Sequence, residues 1–343
     1  MIKYRKRENK RNEFILLLKG KEKVYRRKFK KILDIKNRKI KIYVFSSFII
    51  FFLVLIFFII VKNRKKNFFA CFCAKARGEN KYARELIPFY LNLGVEKFIF
   101  GDNNLNNTEK LSDVIEDYMK NGIVDIYEIF GSKIGQSEFW QKIYEKYKTK
   151  CKWFLFFDFD EYLEIHFENN KSLTLNQFLS NATFNKCEAI LFNWLSYTDN
   201  DLIYYDNRTL LERFTKPNYQ CKINMFVKSI VKGGLNKTIY YSNTSNHVPD
   251  KNLSICDSMG RLVTKYNNYS VFPPVFNYGF IKHFSTKSAE EYVQKIKRGA
   301  NRNLPYVINE RIQNYFFINK FSIAKMNFFN SKFNKTFKLK SNF

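Results

Sequence analysis

No segment of the chain carries the basic-aromatic module of an RNA-binding sheet, the Cys/His spacing of a zinc finger or a basic region joined to heptads. The net charge of +29 therefore does not by itself point to nucleic acid. Acidic residues are scarce, 31 against 60 Lys and Arg. Codon bias accounts for much of this, because Lys, Asn, Ile and Phe are all heavily used and all have A/T-rich codons. There is no internal repeat, which excludes a repeat architecture, and histidine occurs only three times. What is present is a chain of 343 residues, 45% hydrophobic and 18% aromatic, which excludes a largely disordered protein and leaves room for one large domain or two ordinary ones.

Through Lys41 the sequence has eighteen Lys or Arg against four acids, Glu8, Glu13, Glu22 and Asp34. Residues 42–61, IYVFSSFIIFFLVLIFFIIV, then run for twenty positions without a charge, Pro or Gly. At 1.5 Å per residue such a helix is about 30 Å long, the thickness of a bilayer's hydrocarbon core. The run is longer than a secretory signal core, and basic residues (Lys62, Arg64, Lys65, Lys66) follow it in place of a small-x-small cleavage site. The expectation is a retained signal anchor in the lipid bilayer. The basic excess before the span keeps the N-terminus cytoplasmic and the rest luminal, making a single-pass type II membrane protein. No later run is long enough to span again.

All six cysteines (Cys71, Cys73, Cys151, Cys187, Cys221, Cys256) follow the span, where an oxidising compartment permits disulfides. Cys71 and Cys73 are too close for a C-x2-C knuckle and fall on one face of a strand, so they are expected as buried thiols. Nine Asn-x-Ser/Thr sequons, among them Asn106, Asn170, Asn181, Asn207 and Asn334, suit a luminal domain, although an Asn-rich chain also generates sequons by chance.

After a short basic stem (62–67), strand-like runs begin at Phe68, Val95, Val124 and Trp153. They alternate with helical spacings at Leu86/Phe89/Tyr90/Leu93, Leu111/Val114/Ile115/Tyr118 and Trp140/Ile143/Tyr144/Tyr147. Pro88 is expected in a first helical turn or at a kink. This β-α-β-α-β-α-β order predicts an α/β fold, Rossmann-like, with a mainly parallel sheet and helices on both faces. Ligands of such sheets bind beyond the carboxyl ends of the strands. Three polar clusters fall there: Lys75/Arg77/Glu79, Asp102/Asn103/Asn104 and Asp158/Asp160/Glu161. Beyond Leu163 the pattern is less regular, with short strands near Ala189–Trp194 and Met225–Val231 and an amphipathic helix near Ala289–Lys297. From Asn314 the chain is a Lys/Asn/Phe-rich helix or tail.

In KWFLFFDFDEYLEI an apolar strand runs out into Asp158 and Asp160, two residues apart, and period-two alternation would point both the same way. Two carboxylates so placed can hold a hard divalent ion. An ion there would bridge a nucleotide donor's diphosphate and offset the leaving group's charge. An acidic turn after a strand is the plainer alternative.

Four segments together carry a resemblance: AKARGENKYARELIPFYLNLGVEKFIFGDNN, FFDFDEYLEI, Asn193-Trp194 in ILFNWLSYTDN, and KHFSTKSAEEYVQKIKRG. In these the chain resembles a glycosyltransferase of the A-type (GT-A) fold, in family 92 and its family 2-like relatives, from Phe68 to Gly299. The resemblance implies transfer of a hexose, galactose being the favoured sugar, from a UDP-sugar to a glycan acceptor with Mn2+ or Mg2+, in the Golgi lumen. It assigns Arg77, Glu79 and Asp102 to the donor's uridine and ribose, with Asn103 and Asn104 shaping the turn. It gives Asp158 and Asp160 the metal and diphosphate, Glu161 their orientation, and His283 a further metal or pyrophosphate contact. Lys287 and Arg298 are phosphate contacts in this reading.

Each assignment has an alternative. Arg77 can pair with Glu79 at the surface, Asp102 can close an Asx turn, His283 can be a core histidine, and Lys287 and Arg298 can lie on a solvated helix face. Asp199, Asp201 and Glu212 are candidate bases for the acceptor hydroxyl, and Trp194 either stacks on a sugar or packs in the core. The expected organisation is a cytoplasmic tail (1–41), a span (42–61), the stem, a catalytic domain (68–313) and a C-terminal segment (314–343). The rival to an enzyme is an inactive anchored protein that binds a nucleotide sugar or glycan. A nucleic-acid partner conflicts with the luminal topology.

Overall fold

The computed structural model describes residues 51–52, 67–104, 108–130, 134–167, 173–240, 247–264, 266–267, 270–299, 307–337 and 339. The chain divides into two units, Met1–Lys65 and Lys66–Phe343. In the first, only Phe51 and Phe52 are described, both helical and exposed. Most of the expected span 42–61 thus lies outside the described residues, as do the tail and almost all of the stem. Among the described residues no helix is long and apolar enough to cross a membrane.

The second unit is built on strands β1 (Phe68–Ala76), β2 (Lys97–Asp102), β3 (Val124–Glu128), β4 (Cys151–Phe156), β5 (Glu161–Ile165), β6 (Ala189–Ser196), β7 (Val227–Lys232), β8 (Ile255–Asp257) and β9 (Gly279–His283). Their order is β3-β2-β1-β4-β7-β6-β9-β5, with β8 beside β6. The first four are mutually parallel, as the alternation predicted. Beyond β4 the sheet is mixed: β4–β7, β7–β6 and β9–β5 are antiparallel, whereas β6–β9 and β6–β8 are parallel.

The central strand β1, FFACFCAKA, is buried along nearly its whole length, as expected of a parallel strand covered on both faces. Its alternation sends Ala70, Phe72 and Ala74 into one core and Cys71 and Cys73 into another. Helix α1 (Asn80–Leu93) closes the first core with Leu86, Ile87 and Tyr90. It ends at Gly94, whose φ of 102° only glycine adopts readily and whose N–H reaches Leu91 O. Pro88 lies inside α1 and not in its first turn. Helix α2 (Gln136–Tyr147) covers the opposite face with Phe139, Trp140, Ile143 and Tyr144.

Two disulfides, Cys71–Cys151 and Cys187–Cys256, cross-link this body, while Cys73 and Cys221 remain as buried free thiols. This corrects the expectation for Cys71. It shares a face with Cys73 as anticipated, but Cys151 at the start of the adjacent strand β4 brings its Cα to 5.9 Å, within bonding range. Burial pushes the Cys73 thiol well up, so it stays protonated.

The C-terminal part is not a tail. Helix α3 (Ala289–Arg298) packs against α4 (Ile308–Ile318) and α5 (Ile323–Phe333) through Tyr292, Tyr315, Phe316 and Phe329. Helix α4 runs straight through residue 313, where the sequence suggested the catalytic domain would stop. Lys325 of α5 is buried and reaches Asp199 at 2.8 Å and Asp201 at 2.9 Å in the loop after β6. Tyr315 donates to the same Asp199 carboxylate.

Candidate active site

The chain leaves β4 in a tight turn, Asp158–Glu161, closed by Glu161 N–H to Asp158 O at 3.2 Å. The buried Glu161 carboxylate accepts from Asp158 N at 2.8 Å and holds the turn from within. Phe159 points into the core against Phe100. Because Asp158 and Asp160 lie in this turn and not on the strand, strand alternation does not set their directions. Asp158 accepts from Gln136 at the start of α2 and from Lys228 of β7, the latter at 2.6 Å. Asp160 is 4% exposed, so it is not the solvent-facing group that a strand end suggests.

The antiparallel pair β5–β9 sets Glu161 opposite His283, and Phe284 N–H bonds Asp160 O at 2.9 Å. That pairing brings the DFDE and KHFST segments together. Lys287 Nζ lies 3.1 Å and Lys295 Nζ 3.5 Å from Asp160 Oδ2, while His283 Nε2 is 3.9 Å from Oδ1. Burial pushes the Asp160 carboxyl upward, but Lys287 and Lys295 outweigh it and hold the group well below the carboxylate range. Burial pushes His283 down to about 3, so its imidazole is neutral. Lys287 has a positive φ of 56°, a strained conformation for a residue with a side chain, and it is the turn into α3 that holds it there. Ser288 and Glu291 form a capping box at that turn. Glu291 is tied in turn to buried Arg213 at 2.7 Å and to Tyr82.

In front of these lysines opens a cleft of about 530 Å³ between the β1–α1 loop and α3. Six cationic side chains line it (Arg77, Lys81, Lys287, Lys295, Lys297, Arg298) against three carboxylates (Glu79, Glu109, Glu291). Arg77 and Arg298 donate to each other's carbonyl oxygens, which ties the β1–α1 loop to the end of α3. Glu79 lies 3.8 Å from Arg298, and burial pushes its carboxyl up. Among the described residues Ser285 Oγ and Thr286 Oγ1, buried in the wall, have no hydrogen-bond partner. Like charges held this close, with two hydroxyls unused, suit a multiply charged anion.

The structure therefore gathers Arg77, Glu79, Lys287 and Arg298 in one cleft and sets Asp160 and His283 behind it. Lys287 and Arg298 do not lie on a solvated helix face: Lys287 is buried on Asp160, and Arg298 faces the cleft. Asp102 and Asn103 do not line the cleft. Both Asp102 oxygens are engaged within its own loop, by Asn104 N–H and Nδ2 and by Leu111 N–H at 2.7 Å, which is the Asx-turn arrangement. Asn104 reaches the cleft, accepting from Gly78 N–H and donating to Asn80.

Of the candidate bases, Asp199 is locked in the Lys325 network, Asp201 is exposed beside it, and Glu212 caps a short helix with Thr209. None of the three lines the cleft. Trp194 packs against His283 with ring centroids 3.9 Å apart and the ring planes inclined by 38°.

A divalent ion would find two carboxylates and a neutral imidazole at this turn, a donor set that suits Mn2+ or Mg2+. Among the described residues His283 Nδ1 is buried without a hydrogen bond, whereas the buried Glu161 Oε1 lies 3.7 Å from Lys228 Nζ. Among the described residues no three such side chains are drawn together around one point, and ammonium groups lie on both aspartates. The sequence reading missed Gln136, Lys228 and Lys295. Lys228 left a trace as the one charged residue in the strand-length run VKSIV, and Lys295 lies within the KHFSTKSAEEYVQKIKRG segment.

Over residues 66–315 the sequence matches the family model "Glycosyltransferase family 92". Among solved structures, the crystal structure of S. aureus TarS aligns with 77% of this chain and 49% of its own length, at 12% identity and a TM-score of 0.34. The chain thus spans about half of that protein, and the likeness is too distant to bear on this site. Comparison with curated proteins gives no match.

Proposed function

We propose how this chain, which belongs to glycosyltransferase family 92, carries out its transfer: the cleft takes a nucleotide sugar, a UDP-linked hexose, and passes the sugar to a glycan. The observation that carries this reading is the concentration of six cationic side chains in one cleft, with Lys287 and Lys295 bridging from it to Asp160. A diphosphate is the anion that such a set suits. Lys287, Lys295 and Arg298 orient it, Glu79 offers a carboxylate partner to the nucleoside, and Asn80 and Asn104, hydrogen-bonded to each other, hold the wall of the cleft. The N-terminus of α1 also opens toward the cleft without a side-chain cap, adding backbone N–H groups and a positive dipole end. A divalent cation held by Asp158, Asp160 and His283 would neutralise charge developing on the leaving diphosphate. Glu161 and Gln136 fix the turn that presents the two aspartates.

The two disulfides favour an oxidising compartment. With the apolar run 42–61 and the basic excess before it, they support a type II anchor in the bilayer and a luminal catalytic unit, for which the Golgi is the compartment proposed from the family resemblance. The reading is tested by a thermal-shift screen of nucleoside diphosphates on the full chain, with and without manganese. UDP with manganese should raise the melting temperature, since a ligand at about 100 times its Kd stabilises by about 2.7 kcal/mol. A flat response to every nucleotide in both conditions would overturn it.

A further inference from the structure

The turn between β9 and α3 runs through Ser285, Thr286 and Lys287, and it is fixed at both ends. Phe284 N–H bonds Asp160 O at 2.9 Å before it, and Ser288 and Glu291 close their capping box after it. Within the turn, Ser285 O accepts from Lys295 Nζ at 2.9 Å, and Lys287 keeps its positive φ. Ser285, Thr286 and Lys287 all line the cleft. They do so at the end that holds Asp160, the carboxylate that Lys287 and Lys295 reach.

Two hydroxyls of this turn contribute nothing to the fold. Thr286 is 2% exposed, and among the described residues neither its Oγ1 nor Ser285 Oγ has a hydrogen-bond partner. A Ser or Thr beside a helix start ordinarily caps it. Here Ser288 is the cap, and the N–H groups of Ala289 and Glu290 are taken by Leu202 O and Ile203 O. A buried hydroxyl left unpaired costs stability that an apolar group of the same shape would not. The chain nevertheless keeps two of them beside Lys287 and Lys295, where the oxygens of an anion can accept from O–H groups.

We infer that Ser285 and Thr286 read the sugar-bearing phosphate of the donor, their hydroxyls donating to its oxygens. Both hydroxyl oxygens are enclosed, so each meets the cleft by a turn about χ1, which for Thr286 exchanges Oγ1 with Cγ2. A nucleoside monophosphate has no second phosphate to offer and leaves both hydroxyls unpaired, so this turn selects a diphosphate. The two residues determine specificity and position the leaving group, and they take no proton in the reaction. The inference rests on the nucleotide-sugar reading above and adds the groups that tell a diphosphate from a monophosphate.

The test is titration calorimetry on the full chain in detergent with magnesium, using UDP, UMP and inorganic pyrophosphate as separate probes, beside the melting temperature of each unliganded variant. Thr286→Val and Ser285→Ala should each lower the affinity for UDP and for pyrophosphate about tenfold, the size of one hydrogen bond to a charged group. The affinity for UMP should not change, and the unliganded melting temperature should stay level or rise. Thr286→Ser should bind UDP as the wild type does. Unchanged UDP and pyrophosphate affinities in Thr286→Val and Ser285→Ala would overturn the inference and leave the donor reading standing. So would an equal loss for UDP and UMP, or a lower unliganded melting temperature in both variants, which would make the hydroxyls structural. If pyrophosphate behaves as stated while neither nucleotide binds, the nucleotide part of the donor reading fails and the role of the turn stands. Failure of the wild type to bind either UDP or pyrophosphate would overturn both.

Discussion

Asp160→Asn is expected to lower sugar transfer about 100- to 1,000-fold, the range seen when one preorganised electrostatic contact to a transition state is removed. The amide keeps the shape of the carboxylate but is a neutral and weaker cation ligand, and it no longer offsets Lys287 and Lys295, which both lie within 3.5 Å. Since Asp160 is buried, the variant's melting temperature is measured beside its rate. Asp158→Asn gives an independent check, because that side chain is 31% exposed and its loss should disturb folding less. Phe159→Ala, between the two, should behave oppositely. Its ring is fully buried against Phe100, so its truncation should remove about 3–5 kcal/mol of stability. Rates per folded molecule that stay at the wild-type level in both Asn variants would rule out the role given to this turn.

The second large effect is on stability. Lys325→Met should destabilise the Lys66–Phe343 unit by about 3–5 kcal/mol, because it strands a buried carboxylate with its counter-ion removed. Lys325 and Asp199 are each almost fully enclosed, and Tyr315 and the side chain of Asn319 also converge on Asp199. This network is what makes α4 and α5 part of the catalytic unit. Asp201→Ala supplies the contrast. Its side chain is 64% exposed, so its pair with Lys325 should be worth no more than about 1 kcal/mol. Urea unfolding followed by far-UV circular dichroism separates the two, and equal midpoints for Lys325→Met and wild type would contradict the assignment.

These residues mark where the sequence was legible. The runs at Phe68, Val95, Val124 and Trp153 announced β1 to β4 because buried parallel strands are continuous apolar segments, and of the polar residues after them Arg77 and Glu79 line the cleft while Asp102 and Asn103 do not. Asp158 and Asp160 stood out by residue type, but their setting did not. The turn that carries them is closed by Glu161 locally and completed by Lys228, Lys287 and Lys295, which lie 70 to 135 residues further along the chain.

Local pattern carries no information about such partners. Asp102 shows the converse, since an Asp followed by Asn reads equally as a ligand contact or as a turn. Only the hydrogen bonds to Asn104 and Leu111 decide for the turn. Asp199 read as a candidate base because its cation lies 126 residues away, outside the reach of local pattern. The C-terminal segment read as a helix or a tail, and the helical alternative could not be chosen locally because the apolar sides of α4 and α5 acquire meaning only against α3.

The most direct test of the account is release of UDP from UDP-hexoses by the full chain with manganese, measured with and without glycan acceptors. The account predicts slow release from at least one donor, accelerated by an acceptor, abolished by a chelator and reduced about 100-fold or more in Asp160→Asn. Turnover of no UDP-sugar by protein shown to be folded, or turnover equal in wild type and Asp160→Asn, would contradict it.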